Sequence, residues 1–455
     1  MDDALVRLRG RWRDLQDSLW LLPAIGVSLS VLAAWSLAEF APGAGRLPSA
    51  LAYTGSADGA RAILAELAGA TFTVVGVVFS LTVVAVQMAS SQFTPRLLRT
   101  FLKDRSVQVV LSGMVSSGVF HVVVLRYVRT PEGGEDPFVP ELAVTAALLF
   151  ALVAVGMLVF FLHHLTARLR VDVVMVGIRE QTLSVLRSLA VDRELLPDQL
   201  APTPPPHARP VAARTGGYLQ TASLPALASV AEKRGLVVLL RPGPGTWVAS
   251  GSTVAWVWPL DDPHGAEVDL PHGAAVDDDL ASAVHRCFHL GGDRTESEDV
   301  AFGLRQLSDI AARALSTGVN DPTTAVQALE QSSAILVELA DQPLGAAFAY
   351  DDRGRLRAAQ PRPTLAEHLE LAVAQPRRYG ADEPAVLIAI FGLLIDVAER
   401  VADSADRAAT VRAQVQRTRD AASLPDAVDA RLVRAYADAV LTTLDEGSRP
   451  ANVGA

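Results

Sequence analysis

Four stretches of the chain stay apolar for about twenty residues: Leu19–Ala38, Leu67–Val86, Val107–Leu125 and Leu142–Leu162. Roughly twenty residues of α-helix cross the hydrocarbon core of a bilayer, about 30 Å thick. The second and fourth runs hold no charged residue, and the third holds only His121, close to one end. The pattern therefore predicts four membrane-crossing helices within residues 1–170. The first run follows Arg7, Arg9, Arg11 and Arg13, as a signal peptide would. It is longer than a signal core and three more runs follow it, so it reads as a span.

Polar positions inside the runs are few and ordered. Thr73, Gly76, Ser80, Gln87 and Ser91 recur at spacings of three, four and seven, which places them on one face of span two. Gly113, Ser117 and His121 form a similar stripe on span three, with Ser112 and Ser116 beside it. Small residues let helices approach closely in lipid and hydroxyls bond across the contact, so the stripes are expected to pack spans two and three together. A pore-lining face in an oligomer is the alternative. No Asp, Glu, Lys or Arg sits in the middle of a span, which counts against ion-coupled pumping. His121, His163 and His164 are expected at the membrane interfaces, within reach of water.

After span four the apolar pattern continues without a break signal through Val171–Leu196, ending at Pro197 and the proline-rich 202–210, so a rigid rod and linker are expected over 171–210. Residues 211–275 read as a small β barrel or sandwich unit: a helix near Leu224–Lys233, strands at Leu236–Arg241 and Val254–Trp258, and a Pro242-Gly243-Pro244-Gly245 turn. From 276 to 455 the pattern is mainly helical, interrupted by a hairpin around Asp351-Asp352-Arg353-Gly354. Helices are expected at Thr364–Ala374, Glu383–Ala402 and Asp426–Leu444; in the last, Val428, Leu432, Tyr436, Val440 and Leu444 suggest one core-facing stripe. The fold class is thus mainly α, a four-helix transmembrane bundle followed by a cytoplasmic α+β region.

Composition agrees with a membrane part. Of 455 residues 50% are hydrophobic and 20% charged, and mean hydropathy is +0.28. Net charge is −10, unevenly placed: residues 1–170 carry 14 Lys+Arg and 12 Asp+Glu, leaving 26 and 38 to the remainder. The acidic second part excludes a basic nucleic-acid-binding face. Orientation follows the short loops, because Lys and Arg stay cytoplasmic. The N-terminal arginines, Arg96, Arg99, Lys103 and Arg105 between spans two and three, and Arg168 and Arg170 after span four put both termini in the cytoplasm. Residues 94–103 also alternate apolar and basic, as in a short helix touching anionic lipid headgroups.

Cys287 is the only cysteine, which excludes an intramolecular disulfide. His285 and His289 stand four apart but no partner set completes a metal site, and no metal or cofactor is expected. Neither a nucleophile elbow nor a paired-carboxylate or kinase-like set is present, so no enzymatic activity is expected. In Asn320-Asp321-Pro322-Thr323-Thr324, Asp321 suits a helix N-cap and Pro322 the next position. The alternative is a polar pocket built by Arg294, Asp299, Arg305, Asn320, Asp321 and Thr323.

Two segments, Phe79-Ser80-Leu81-Thr82 through Gln92-Phe93-Thr94-Pro95-Arg96-Leu97-Leu98 and Ala301-Phe302-Gly303-Leu304-Arg305-Gln306-Leu307 through Asn320-Asp321-Pro322-Thr323-Thr324-Ala325, resemble bacterial membrane proteins grouped as domain of unknown function 2254. The resemblance implies a multi-pass membrane protein with a large soluble portion, and implies no reaction or ligand. Three functions are weighed in order. The first is a homo-oligomeric channel or transport-like protein with span two near the axis and a cytoplasmic gating or sensing domain. The second is a membrane-anchored sensor or scaffold that binds a small ligand or protein partner, and the third a membrane-bound enzyme.

Overall fold

A computed structural model describes residues 21–40, 53–92, 105–130, 137–168, 170–191, 200–260 and 276–447. They are mostly helical and fall into two compact units, Met1–Arg170 and Val171–Ala455.

The first unit holds helices α1 (Leu21–Glu39), α2 (Ala57–Gln92), α3 (Arg105–Tyr127) and α4 (Glu141–Arg168). All four are long and apolar enough to cross a membrane. With 36 residues, α2 extends for about 54 Å and overshoots a hydrocarbon core of about 30 Å. The least apolar helix, α3, packs against the other three. That placement follows from the solvent: lipid accepts Leu, Val and Phe outside, while small and hydroxyl residues are useful only where helices touch. Thus Phe79, Leu152 and Val159 point outward, whereas Ser112 Oγ of α3 donates to the Leu22 carbonyl of α1 over 2.8 Å. Any side chain at Gly26 of α1 would strike the Ser112 and Ser116 hydroxyls, so glycine is required for this close crossing.

The junction where a continuous rod was expected includes residue 169, which lies outside the described residues. Helix α4 ends at Arg168 and a separate helix, α5 (Val171–Val191), begins the second unit. Within its own unit α5 packs on two later helices, spanning residues 300–314 and 322–340.

In the second unit a five-stranded sheet has the order β1-β5-β3-β8-β7 and a three-stranded sheet the order β4-β2-β6. The strands are β1 (Arg209–Ala212), β2 (Gly217–Ala222), β3 (Leu236–Leu240), β4 (Trp247–Val248), β5 (Thr253–Pro259), β6 (Phe288–Gly291), β7 (Ala347–Tyr350) and β8 (Leu356–Gln360). All five residues of β3 are buried, which explains its unalternated Leu-Val-Val-Leu-Leu run. It lies between antiparallel β5 and parallel β8. The β-rich part is therefore not self-contained within 211–275: a central strand needs partners on both edges, and β6, β7 and β8 come from beyond residue 275. Helix α6 (Leu224–Glu232) covers β3 and β8, its start fixed by Ser223, whose hydroxyl caps Ala226 N. Helix α7 (Asp278–His285) stops before β6, so His285 and His289 do not share a helical face.

The remaining helices are α8 (Val300–Ala314), α9 (Pro322–Ala340), α10 (Leu365–Tyr379), α11 (Pro384–Val401), α12 (Ala405–Ala421) and α13 (Ala427–Gly447). The apolar α11 lies at the centre, against α9, α10, α12 and α13. On α13 the expected stripe divides. Val440 and Leu444 are buried with Val433 and Ala437, while Val428, Leu432 and Tyr436 are exposed. Four residues turn a helix through about 400°, so each i, i+4 step drifts about 40° and a row of five leaves the core face.

Candidate functional site

The polar stripe of α2 does not join it to α3. Thr73, Gly76, Ser80 and Gln87 are all exposed. The buried positions, Ala57, Ala60, Leu64, Ala68, Thr71, Val78 and Ala85, at about 100° per residue centre on the opposite side of the helix. Helices α2 and α3 do pack together, but through that opposite, mostly apolar side. The packing expectation is corrected for a physical reason: the unit already has a small-residue face to use, on α3. A side chain at Gly76 would meet nothing within 4 Å among the described residues, and the same holds at Gly69. Thr73 Oγ1 donates to Gly69 O over 2.9 Å, which satisfies its hydroxyl within the helix. Ser91 belongs to the last turn of α2.

The stripe is longer than the sequence reading made it. Glu66 and Gly69 are exposed and extend the alternation of three and four that runs through Thr73, Gly76, Ser80 and Val83 to Gln87. The signal was the same spacing continued past the start of the apolar run. Glu66 and Gln87 stand roughly 31 Å apart at a helical rise of about 1.5 Å per residue, close to the thickness of the hydrocarbon core.

The α3 stripe faces inward. A side chain at Gly113 would strike Met157 of α4, and Ser117 is buried. His121 is fully buried rather than within reach of water, with Nε2 2.9 Å from the Ala147 carbonyl of α4. Its Nδ1 and the hydroxyls of Ser116 and Ser117 have no partner among the described residues. Of the four basic headgroup candidates, Arg105 is the first residue of α3; Arg96, Arg99 and Lys103 lie outside the described residues.

In the second unit the six pocket candidates separate into two groups. Arg294 forms a two-pronged ion pair with Asp299, Nε to Oδ2 at 2.6 Å and Nη2 to Oδ1 at 3.1 Å. The same carboxylate caps α8 by accepting from Phe302 N. Burial pushes the Asp299 carboxyl above its usual range, with Arg294 opposing. Gly245, at φ +71°, ends the proline-glycine turn directly against this pair, and a Cβ there would overlap the Asp299 carboxylate. Arg305 is half-buried further along α8. Asn320, Asp321 and Thr323 lie past the other end of α8, whose 15 residues amount to about 22 Å. There Asp321 caps α9, accepting from Thr324 N at 3.1 Å and Thr324 Oγ1 at 2.6 Å. Asn320 takes the left-handed conformation, φ 50°, that lets the chain turn from α8 into α9.

A cavity of about 70 Å³ opens beside Asp299. It is lined by Leu186 of α5, Leu344, Glu298, Asp299, Arg362 and His368, among others. His368 is buried; its Nδ1 donates to Thr364 O over 2.8 Å, and burial holds its pKa down at about 4, so the ring is neutral. Arg362 and His368 were not singled out from sequence. The available signal was Pro361-Arg362-Pro363, in which flanking prolines fix the backbone and hence the direction of the arginine.

Comparison with known proteins follows the same outline. Uncharacterized proteins of Mycobacterium bovis and Mycobacterium tuberculosis are each 36% identical over 397 residues, covering 87% of this chain and 74% of theirs. No solved structure matches. A family model described as a predicted membrane protein, DUF2254, matches residues 16–396. The chain, with its four apolar helices and its α+β second unit, belongs to that membrane protein family.

Proposed function

We propose that the chain is a homo-oligomeric channel or transport-like protein of the cell membrane, with α2 of each copy at the shared axis. The observation that carries this reading is the outward direction of the small and polar α2 face. The hydroxyls alone do not decide the matter, because Thr73 bonds back to Gly69 O and is tolerable in lipid. Two glycines with nothing against them among the described residues, an amide and a carboxylate on one line favour protein or water over acyl chains. Alternating spacings of three and four average 3.5 residues, the repeat of a left-handed helix–helix seam. Glu66 and Gln87 would then mark the two mouths.

Both termini and the second unit lie in the cytoplasm in this reading, because the basic loops are retained there. The second unit acts as gate or sensor rather than as an enzyme, and no nucleic acid or cofactor takes part. A membrane-anchored sensor or scaffold is the second reading, favoured by the Asp299-side cavity.

The test is hydration of the α2 face. Cysteine placed at 80 or 87 in a Cys287→Ser background should react with small charged thiol reagents in membranes, and the protein should run as an oligomer in mild detergent. Protection at both positions together with a monomer would transfer the argument to the sensor or scaffold.

A further inference from the structure

Helix α13 is two-faced. Val433, Ala437, Val440 and Leu444 bury one side in the second unit, while Val428 and Leu432 on the other side are 61% and 47% exposed. The helix is not a candidate span, so large apolar side chains in a row on its outer side mark a contact surface. Ala435 and Ala439 are exposed as well, and Val428, Leu432, Ala435 and Ala439 follow steps of four, three and four, the seam of two packed helices. At about 100° per residue Arg431 and Asp438 fall on one flank of this seam, and Asp429 and Tyr436 on the other. Asp438 meets Arg419 yet keeps 70% of its side chain exposed. Arg431 is exposed and has no partner among the described residues.

We propose that α13 docks antiparallel on α13 of a second copy of the chain. One register satisfies the whole seam: Leu432 falls opposite the partner's Ala435, and Val428 opposite the partner's Ala439, so each large side chain meets a small one. A two-fold axis perpendicular to the helices returns each flank to itself. Arg431 therefore comes within reach of the partner's Asp438, and the Tyr436 hydroxyl within reach of the partner's Asp429. A parallel pair would set unlike flanks together, with Arg431 against Tyr436, and would stack the leucines on each other. Antiparallel helix dipoles also attract. A seam of about three turns is small beside the roughly 1,200–2,000 Å² that stable interfaces bury, so the contact forms between copies already confined in one membrane. To that extent it rests on the homo-oligomer reading, but it does not need a hydrated α2 face.

The test is oxidative cross-linking of the full-length protein in membranes, with Val428→Cys and Ala439→Cys in a Cys287→Ser background. These positions lie roughly 16 Å apart along one helix, too far for a disulfide within a chain, so the expected product is a covalent dimer. Val428→Cys alone should stay monomeric, whereas a parallel seam would join it to its own copy. Adding Arg431→Asp to the double-cysteine protein should lower the dimer yield at least about threefold, and adding Arg434→Asp, off the seam and both its flanks, should not. All four positions are exposed, so the fold is not at stake. No dimer from the double-cysteine protein, an equal dimer from Val428→Cys alone, or equal effects of the two charge variants would each overturn the assignment. An oligomer in mild detergent without the covalent dimer removes the α13 contact and leaves the α2 axis standing; a covalent dimer with positions 80 and 87 protected does the reverse.

Discussion

Helices α2 and α11 are both strongly apolar, yet they use their apolar residues in opposite directions. On α11, Val386, Leu387, Ile390, Phe391, Leu394 and Val397 have no exposed surface. On α2, Val77, Phe79 and Val83 point outward, at 51%, 61% and 41% exposure. The second unit holds no candidate span among its described residues; where water is the solvent, burying such side chains is the main stabilising term. In the first, lipid is as apolar as the side chain, so the interior is chosen by fit and polarity: Gly26 against α3, Gly113 against Met157 and His121 on Ala147 O. An exposed Phe is thus ordinary on α2 and would be anomalous on α11. What is anomalous on α2 is its line of small and polar residues facing out.

The largest effect expected from this contrast is in the second unit. Phe391→Ala should cost about 3–5 kcal/mol, because it leaves a cavity in a packed core. Phe79→Ala, from a side chain that touches little protein, should stay within about 0.5 kcal/mol. Denaturant unfolding followed by tryptophan fluorescence measures both. Equal costs would mean that Phe79 is packed against protein, and the contrast would collapse.

A smaller effect separates the two kinds of glycine contact in the first unit. Gly26→Leu overfills the α1–α3 crossing and should destabilise the protomer by about 1–3 kcal/mol. Gly76→Leu meets nothing among the described residues of the protomer, so its thermal stability should hold while the oligomer, read by native mass spectrometry, dissociates. If Gly76→Leu changes neither stability nor assembly, the α2 face contacts lipid alone.

The four spans were legible in the sequence because a soluble helix rarely stays apolar and uncharged for about twenty residues. Strand β3 and the β7–β8 hairpin were legible through an apolar run and turn residues. Missed features share a cause. The direction of the α2 stripe and the completion of the β3 sheet by β8 both depend on which partner a segment finds, which periodicity does not encode. The polar α12 was missed because its few buried residues, such as Val411 and Val415, leave little apolar pattern to read. At the candidate site the arithmetic was nearer to hand: Asp299 and Asp321 flank a helix of known length, so helical rise alone keeps them apart.

The smallest expected effect concerns Asp321, where the capping and pocket readings of one motif part. Its carboxylate accepts from the Thr324 hydroxyl and backbone N–H, and these bonds hold its pKa below the usual carboxylate range. An unfolded Asp titrates near about 3.9. The cap's contribution is therefore fully present above that value and is lost as pH falls through it toward the lower folded-state pKa. Asp321→Ala should cost about 0.5–2 kcal/mol near neutral pH. Asp321→Asn keeps the capping oxygen without a titrating proton, so it should recover most of that loss and remove this residue's share of acid sensitivity. Thermal unfolding from pH 3 to pH 7 compares the three proteins. If Asp321→Asn restores stability but not whatever activity the protein is found to have, the carboxylate meets a ligand there and the α9 cap is only part of its role.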